Sequence, residues 1–130
     1  MYFITGLARS RTAWFSAYLG IPHDTWPPEA SCAGCGAWTY YDDFPTARWV
    51  FIRRDPEEAA RALHAHRPDL DFDRCLELNL CWDRDMDALR GLHVPFEEVD
   101  SRLLEIHEFI GVPYDEVRAS LFKGFRVMLI

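Results

Sequence analysis

No apolar run in this 130-residue chain approaches the roughly 18 residues that would suggest a membrane span. Nor is there an internal repeat or a low-complexity segment. The N-terminus lacks the basic segment, long apolar stretch and cleavage site of a secretory signal, so the expected compartment is cytoplasmic. Positive charge is also in short supply. Fourteen Lys and Arg stand against 21 Asp and Glu, a formal net charge of -7 that argues against broad nucleic-acid binding, though a local basic site is compatible with it. What remains is a globular composition, 49% hydrophobic and 15% aromatic. The length suits one core and not two, so residues 1–130 are read as a single domain.

The first sign of chemistry is in YFITGLARSRTAWFSAYLG, residues 2–20. Tyr2 to Thr5 reads as a buried strand, and Trp14, Phe15, Tyr18 and Leu19 recur at helical spacing. Between them a turn at Gly6 carries Arg9, Ser10, Arg11 and Thr12. A helix starting near Ser10 leaves its first backbone N–H groups unpaired and its positive dipole end exposed, which suits a phosphate-like anion. Two guanidinium groups and two hydroxyls add donors at the same place. The spacing G-x-x-R-S-x-T lacks the lysine and second glycine of the Walker pattern, which lowers the case for a magnesium-dependent ATPase or a nucleotide kinase.

Further along, Trp49–Ile52 reads as a second strand, followed by Arg53 and Arg54, with Asp55-Pro56 in the favoured cap and first-turn positions of a helix running to about His64. Phe72, Cys75, Leu76, Asn79, Trp82, Met86 and Leu89 share one face of a long helix over 72–90, closed by Gly91. Val94–Phe96 is a third strand. Leu103, Ile106, His107 and Ile110 mark the next helix, with His107 a packed core histidine, and a last helix spans 114–121. The stretch from His23 to Pro45 is rich in turn formers, with AWTYY at 37–41 a candidate strand. Phe125, Val127 and Leu129 alternate as in an edge strand.

The four cysteines, Cys32, Cys35, Cys75 and Cys81, are expected as free thiols in a reducing compartment. The Cys32-Ala-Gly-Cys35 spacing is also that of half a zinc site. Cys75 and Cys81 lie about 600° apart around a helix and do not readily supply the other half. Trp26, Trp38, Tyr40, Tyr41 and Phe44 suit either a pocket for a ring or a partner-facing cluster.

Strands separated by helices give an α/β fold with a mainly parallel sheet flanked by helices. Ligands in such folds sit at the carboxyl ends of strands. Arg9 with Arg11, and Arg53 with Arg54, each come just after a strand and just before a helix, so the topology brings them to one sheet edge.

Three segments, in order, resemble the sulfotransferase family of P-loop proteins. GLARSRTAWFSAYL is similar to its 5′-phosphosulfate loop, with Arg9, Ser10 and Thr12 matching and Arg11 where the family usually has glycine. WVFIRRDPEEAARAL resembles the 3′-phosphate segment, placing Arg54 on its arginine and Ala62 where a serine is expected. VPFEEVDSRLLEIHEFIGVPYDEV resembles the strand end and helix that close the family core, with Glu97 and Gly111 in register. The resemblance implies a minimal three-layer P-loop-type fold. It also implies a 3′-phosphoadenosine 5′-phosphosulfate cofactor, a small hydroxyl or amine acceptor, and sulfuryl transfer without a required metal. Arg9, Ser10, Arg11, Thr12, Trp14 and Arg54 would hold the nucleotide. Arg9 would stabilise the transferring group, and His23, Asp24 and Glu29 are the candidates for the acceptor's base. A degenerate P-loop module acting through a protein partner is the alternative.

Overall fold

Three parallel pairings hold the frame together. The computed structural model describes residues 1–25 and 27–124. Strands β1 (Tyr2–Gly6), β2 (Cys32–Cys35), β3 (Arg48–Arg53) and β4 (Leu92–Pro95) form one sheet in the order β2-β1-β3-β4. Phe3 pairs with Cys32 and Trp49, and Ile52 pairs with Val94. Helices α1 (Thr12–Leu19), α2 (Pro56–His66), α3 (Phe72–Asp87), α4 (Leu103–Ile110) and α5 (Glu116–Phe122) complete the α/β architecture.

Alternation along the strands divides the core into two layers. Ile4, Ala33, Val50, Ile52 and Val94 face one side, where they meet Phe15 and Tyr18 of α1, Leu103 and Ile106 of α4, and Ala119 of α5. Phe3, Cys32, Trp49 and Phe51 face the other, against Ala37, Ala59 of α2 and Met86 of α3. At roughly 25 cal/mol per Å² of apolar surface removed from water, these two layers supply the main driving force for folding. His107 is buried in the first layer, its Nδ1 hydrogen-bonded to the Val112 carbonyl at 3.0 Å and its Nε2 to the Tyr18 hydroxyl at 2.7 Å.

Several boundaries depart from the sequence reading. AWTYY is not a strand: Ala37–Asp43 is a 3-10 helix, entered through Gly36 at φ 81°. The strand of this region is Cys32–Cys35, whose small residues fit closely beside β1. Helix α3 ends at Asp87, because the chain must tighten before Gly91, where a Cβ would collide with the Trp49 carbonyl and the Phe51 ring. Phe96 leaves the sheet after Pro95 and enters a 3-10 turn, Phe96–Glu98. Trp82 on α3 stays 39% exposed beside Leu80 at 50%. Trp26 of the aromatic group, and the alternating Phe125, Val127 and Leu129, lie outside the described residues. No helix among the described residues is long and apolar enough to cross a membrane.

Candidate functional site

The carboxyl ends of β1 and β3 lie side by side, and the loop between β1 and α1 rests against β3. Gly6 makes this approach possible: a Cβ there would stand 2.6 Å from the Ile52 carbonyl oxygen and 3.2 Å from Ser10 Cβ. Helix α1 begins at Thr12 rather than at Ser10, because Arg11 takes a left-handed conformation, φ 67° and ψ 18°, as does Arg9 at φ 69°. That conformation is one glycine adopts without strain and arginine does not, so Arg11 is strained at the position where the resemblance leads one to expect glycine. The first helical bond runs from the Phe15 N–H to the Arg11 carbonyl at 3.0 Å. The N–H groups of Thr12, Ala13 and Trp14 therefore have no intrahelical partner.

Ser10 is fully buried, and its hydroxyl has no hydrogen-bond partner among the described residues. A buried hydroxyl left this way costs on the order of 1–3 kcal/mol unless a ligand satisfies it. Nε of Arg54 is also buried without a hydrogen-bond partner among the described residues. An orphaned buried hydroxyl two residues before open helix N–H groups, in a turn with no room for a Cβ at Gly6, suits a tetrahedral anion.

The four arginines of this edge have different surroundings. Arg9 makes no hydrogen bond or ion pair through its side chain among the described residues, which leaves its guanidinium available to a ligand. Arg11 is engaged instead: its Nη1 donates to Asp100 at 2.9 Å, and the guanidinium lies 4.1 Å from the centre of the Trp14 ring. Trp14 is buried, its indole N–H donating to the Phe122 carbonyl at 2.8 Å, so it braces the helix start. Arg54 donates through Nη1 to the Arg9 carbonyl, reaches Glu58 at 3.4 Å, and stacks 4.1 Å from the centre of the Phe96 ring.

Arg53 turns to the opposite face, as its neighbour position on a strand requires. There it binds Asp83 at 2.6 Å, Asp87 at 2.7 Å and Nδ1 of His93 at 3.0 Å. Burial works against its charge, but the hydrogen bonds and negative charge of Asp83 and Asp87 outweigh that and hold it above its usual value. Its role is to pin α3 to the sheet. The two arginine pairs thus reach one sheet edge, but Arg53 is turned away from the loop to Asp83 and Asp87.

Of the base candidates, the chain brings two to the loop. His23 forms an isolated bridge beside Ala33, which puts its Nε2 3.4 Å from Thr12 Oγ1 and its Nδ1 3.5 Å from Asp24 Oδ2. Asp24 is left-handed at φ 52°. Glu29 is exposed and makes no hydrogen bond or ion pair among the described residues. Cys32 and Cys35 lie three apart on a strand and so face opposite sides of the sheet, which removes them as half of a zinc site. Burial, with Asp24 adding to it, pushes both thiols up and keeps them protonated. Among the described residues no group of three or more His, Cys, Asp or Glu is arranged to hold a metal ion.

Two residues of the site escaped the sequence reading, Asp100 and Phe96. Both belong to the segment after β4, whose PFEEVD pattern was read only for Glu97; Glu97 itself is exposed.

Comparison with solved structures gives a likeness to mouse sulfotransferase SULT7A1 complexed with PAP, at a TM-score of 0.61 and 14% identity, covering 93% of this chain. The chain spans 62% of the length of that sulfotransferase. At this identity the likeness is one of fold: the sheet and its helices form a sulfotransferase-type α/β core. No family model matches the chain, and no curated protein does.

Proposed function

We propose that the protein is a sulfotransferase-like nucleotide-binding protein that takes a 3′-phosphoadenosine 5′-phosphosulfate-type nucleotide and transfers sulfuryl to a small hydroxyl or amine acceptor. The observation that carries this reading is the buried Ser10 hydroxyl, without a partner among the described residues, in a turn that also holds Arg9, unpaired among the same residues, and the open end of α1. The PAP of the mouse structure supports the nucleotide class. Ser10, Thr12 and the N–H groups at the start of α1 would hold the 5′-phosphate side. Arg11 and Trp14 set the loop from behind, and Arg54 completes the site from the end of β3.

Sulfuryl transfer breaks one S–O bond and makes a bond from sulfur to the acceptor atom, with negative charge spread over the sulfuryl oxygens between. Arg9 is the cation available to meet that charge. The acceptor must lose a proton, and His23 would take it. Its Nδ1 lies 3.5 Å from Asp24, and its Nε2, 3.4 Å from Thr12 Oγ1, is the ring nitrogen at the mouth of the loop.

Calorimetric titration of the full chain with adenosine 3′,5′-bisphosphate and with magnesium-ATP tests the reading. Metal-independent binding of the bisphosphate that exceeds ATP binding is the expected result. A chain that binds neither nucleotide would be the partner-binding module instead, a second reading favoured by the exposed Leu80 and Trp82, whose ring lies 6.5 Å from Trp38.

A further inference from the structure

Arg9, Arg11 and Asp24 are the non-glycine residues of positive φ among the described residues, and all three are in the loop or beside His23. Such strain persists only where the surroundings over-determine it. The loop is held from two sides. Asp100 and Trp14 fix the Arg11 guanidinium, and Arg54 fixes the Arg9 carbonyl.

Arg54 is therefore already engaged. Its Nη1 is on the loop backbone, the Phe96 ring covers its face, and the Glu58 carboxylate stands at Nη2. A phosphate dianion is best held by a bidentate guanidinium edge; here the Glu58 carboxylate, of the same charge sign, stands 3.4 Å from Nη2 of that edge, and its other donor, Nε, is shut off from the surface. Position 62, on the next turn of the same helix as Glu58, is alanine and brings no hydroxyl to such a phosphate.

Resting on the nucleotide-binding reading above, we infer that Arg54 is a positioning residue that acts on the ligand through the Arg9 carbonyl and does not grip a 3′-phosphate. The ligand class this assigns is nucleoside 5′-monophosphates and 5′-phosphosulfates, with or without a 3′-phosphate. Affinity comes from the loop and depends on Arg54 whichever of these ligands is bound.

Calorimetry of the full chain with adenosine 5′-monophosphate and adenosine 3′,5′-bisphosphate tests this. The wild-type affinities should agree within about threefold, well under the tenfold that a productive charged contact gives. Arg54→Ala should weaken both by the same factor, about tenfold, the size of one charge-assisted hydrogen bond. Glu58→Ala, which frees the Nη2 edge, should create a preference for the bisphosphate. The inference is overturned if wild type prefers the bisphosphate by tenfold or more and Arg54→Ala removes that preference alone. Should Arg54→Ala not fold, the wild-type ratio and Glu58→Ala decide it. Failure of wild type to bind either nucleotide overturns the parent reading, a result distinct from selective binding of the bisphosphate.

Discussion

Two strand-to-helix junctions lie side by side at the same sheet edge, and they are built on opposite rules. Between β3 and α2, Asp55 caps the helix by accepting the Glu58 N–H at 3.0 Å, Pro56 opens the first turn, and Glu57 and Glu58 complement the dipole. Between β1 and α1, the cap position is Arg11 at positive φ, no side chain caps the helix, and no acidic residue is in the first turn. The first junction satisfies its own helix end. The second leaves its N–H groups, its dipole and a buried hydroxyl to something else, and a departure from local stability rules that is clamped by long-range contacts marks a site rather than a defect.

The largest test of that contrast is Arg9→Ala. Arg9 has no side-chain hydrogen bond or ion pair among the described residues to lose and alanine faces the same left-handed strain, so melting should stay within about 0.5 kcal/mol of wild type. Sulfuryl transfer should fall by about 10²–10³ in kcat, the effect of removing one preorganised charge donor. Unchanged turnover would take Arg9 out of the chemistry. Gly6→Ala comes next. Its Cβ would meet the Ile52 carbonyl, backbone that cannot rotate aside, so chemical denaturation should show a loss of about 1–3 kcal/mol together with loss of nucleotide binding.

The contrast was partly legible in the residues themselves. Asp55-Pro56 announces its helix start through a local rule, and Trp49–Ile52 announces its strand by its apolar run. The stripe Leu103, Ile106, His107 and Ile110 is buried as its spacing requires. Cys32–Cys35 was illegible because Cys-Ala-Gly-Cys has no alternation to read; it is a strand only because β1 offers it an edge 29 positions away. AWTYY has strong strand propensity, and tertiary context overrode it. Within the site, the anion turn could be read from Gly6, Arg9, Ser10 and Thr12. The direction of Arg11 could not, since its partner Asp100 is 89 positions away, and the separation of Arg53 from Arg54 depended on which face each took.

The conventional junction supplies the control. Asp55→Ala removes the cap of α2 and leaves the neighbouring loop untouched, so it should cost about 1 kcal/mol by denaturant titration with nucleotide affinity unchanged. A matching fall in affinity would mean that the two junctions are coupled through α2, and the separation drawn between them would fail.

The smallest effect, and the most specific to the unconventional junction, comes from comparing two substitutions at Arg11. Both Arg11→Ala and Arg11→Gly lose the Asp100 pair and the contact with Trp14, worth at most about 1 kcal/mol each at this exposure. Only glycine relieves the left-handed strain, by roughly 1–2 kcal/mol. If φ 67° is what the turn requires, Arg11→Gly should melt close to wild type and Arg11→Ala measurably below it. The reverse order, with alanine the more stable, would mean that the loop relaxes out of the left-handed region once the guanidinium is gone, and that the Arg11–Asp100 strap creates the strained turn instead of tolerating it.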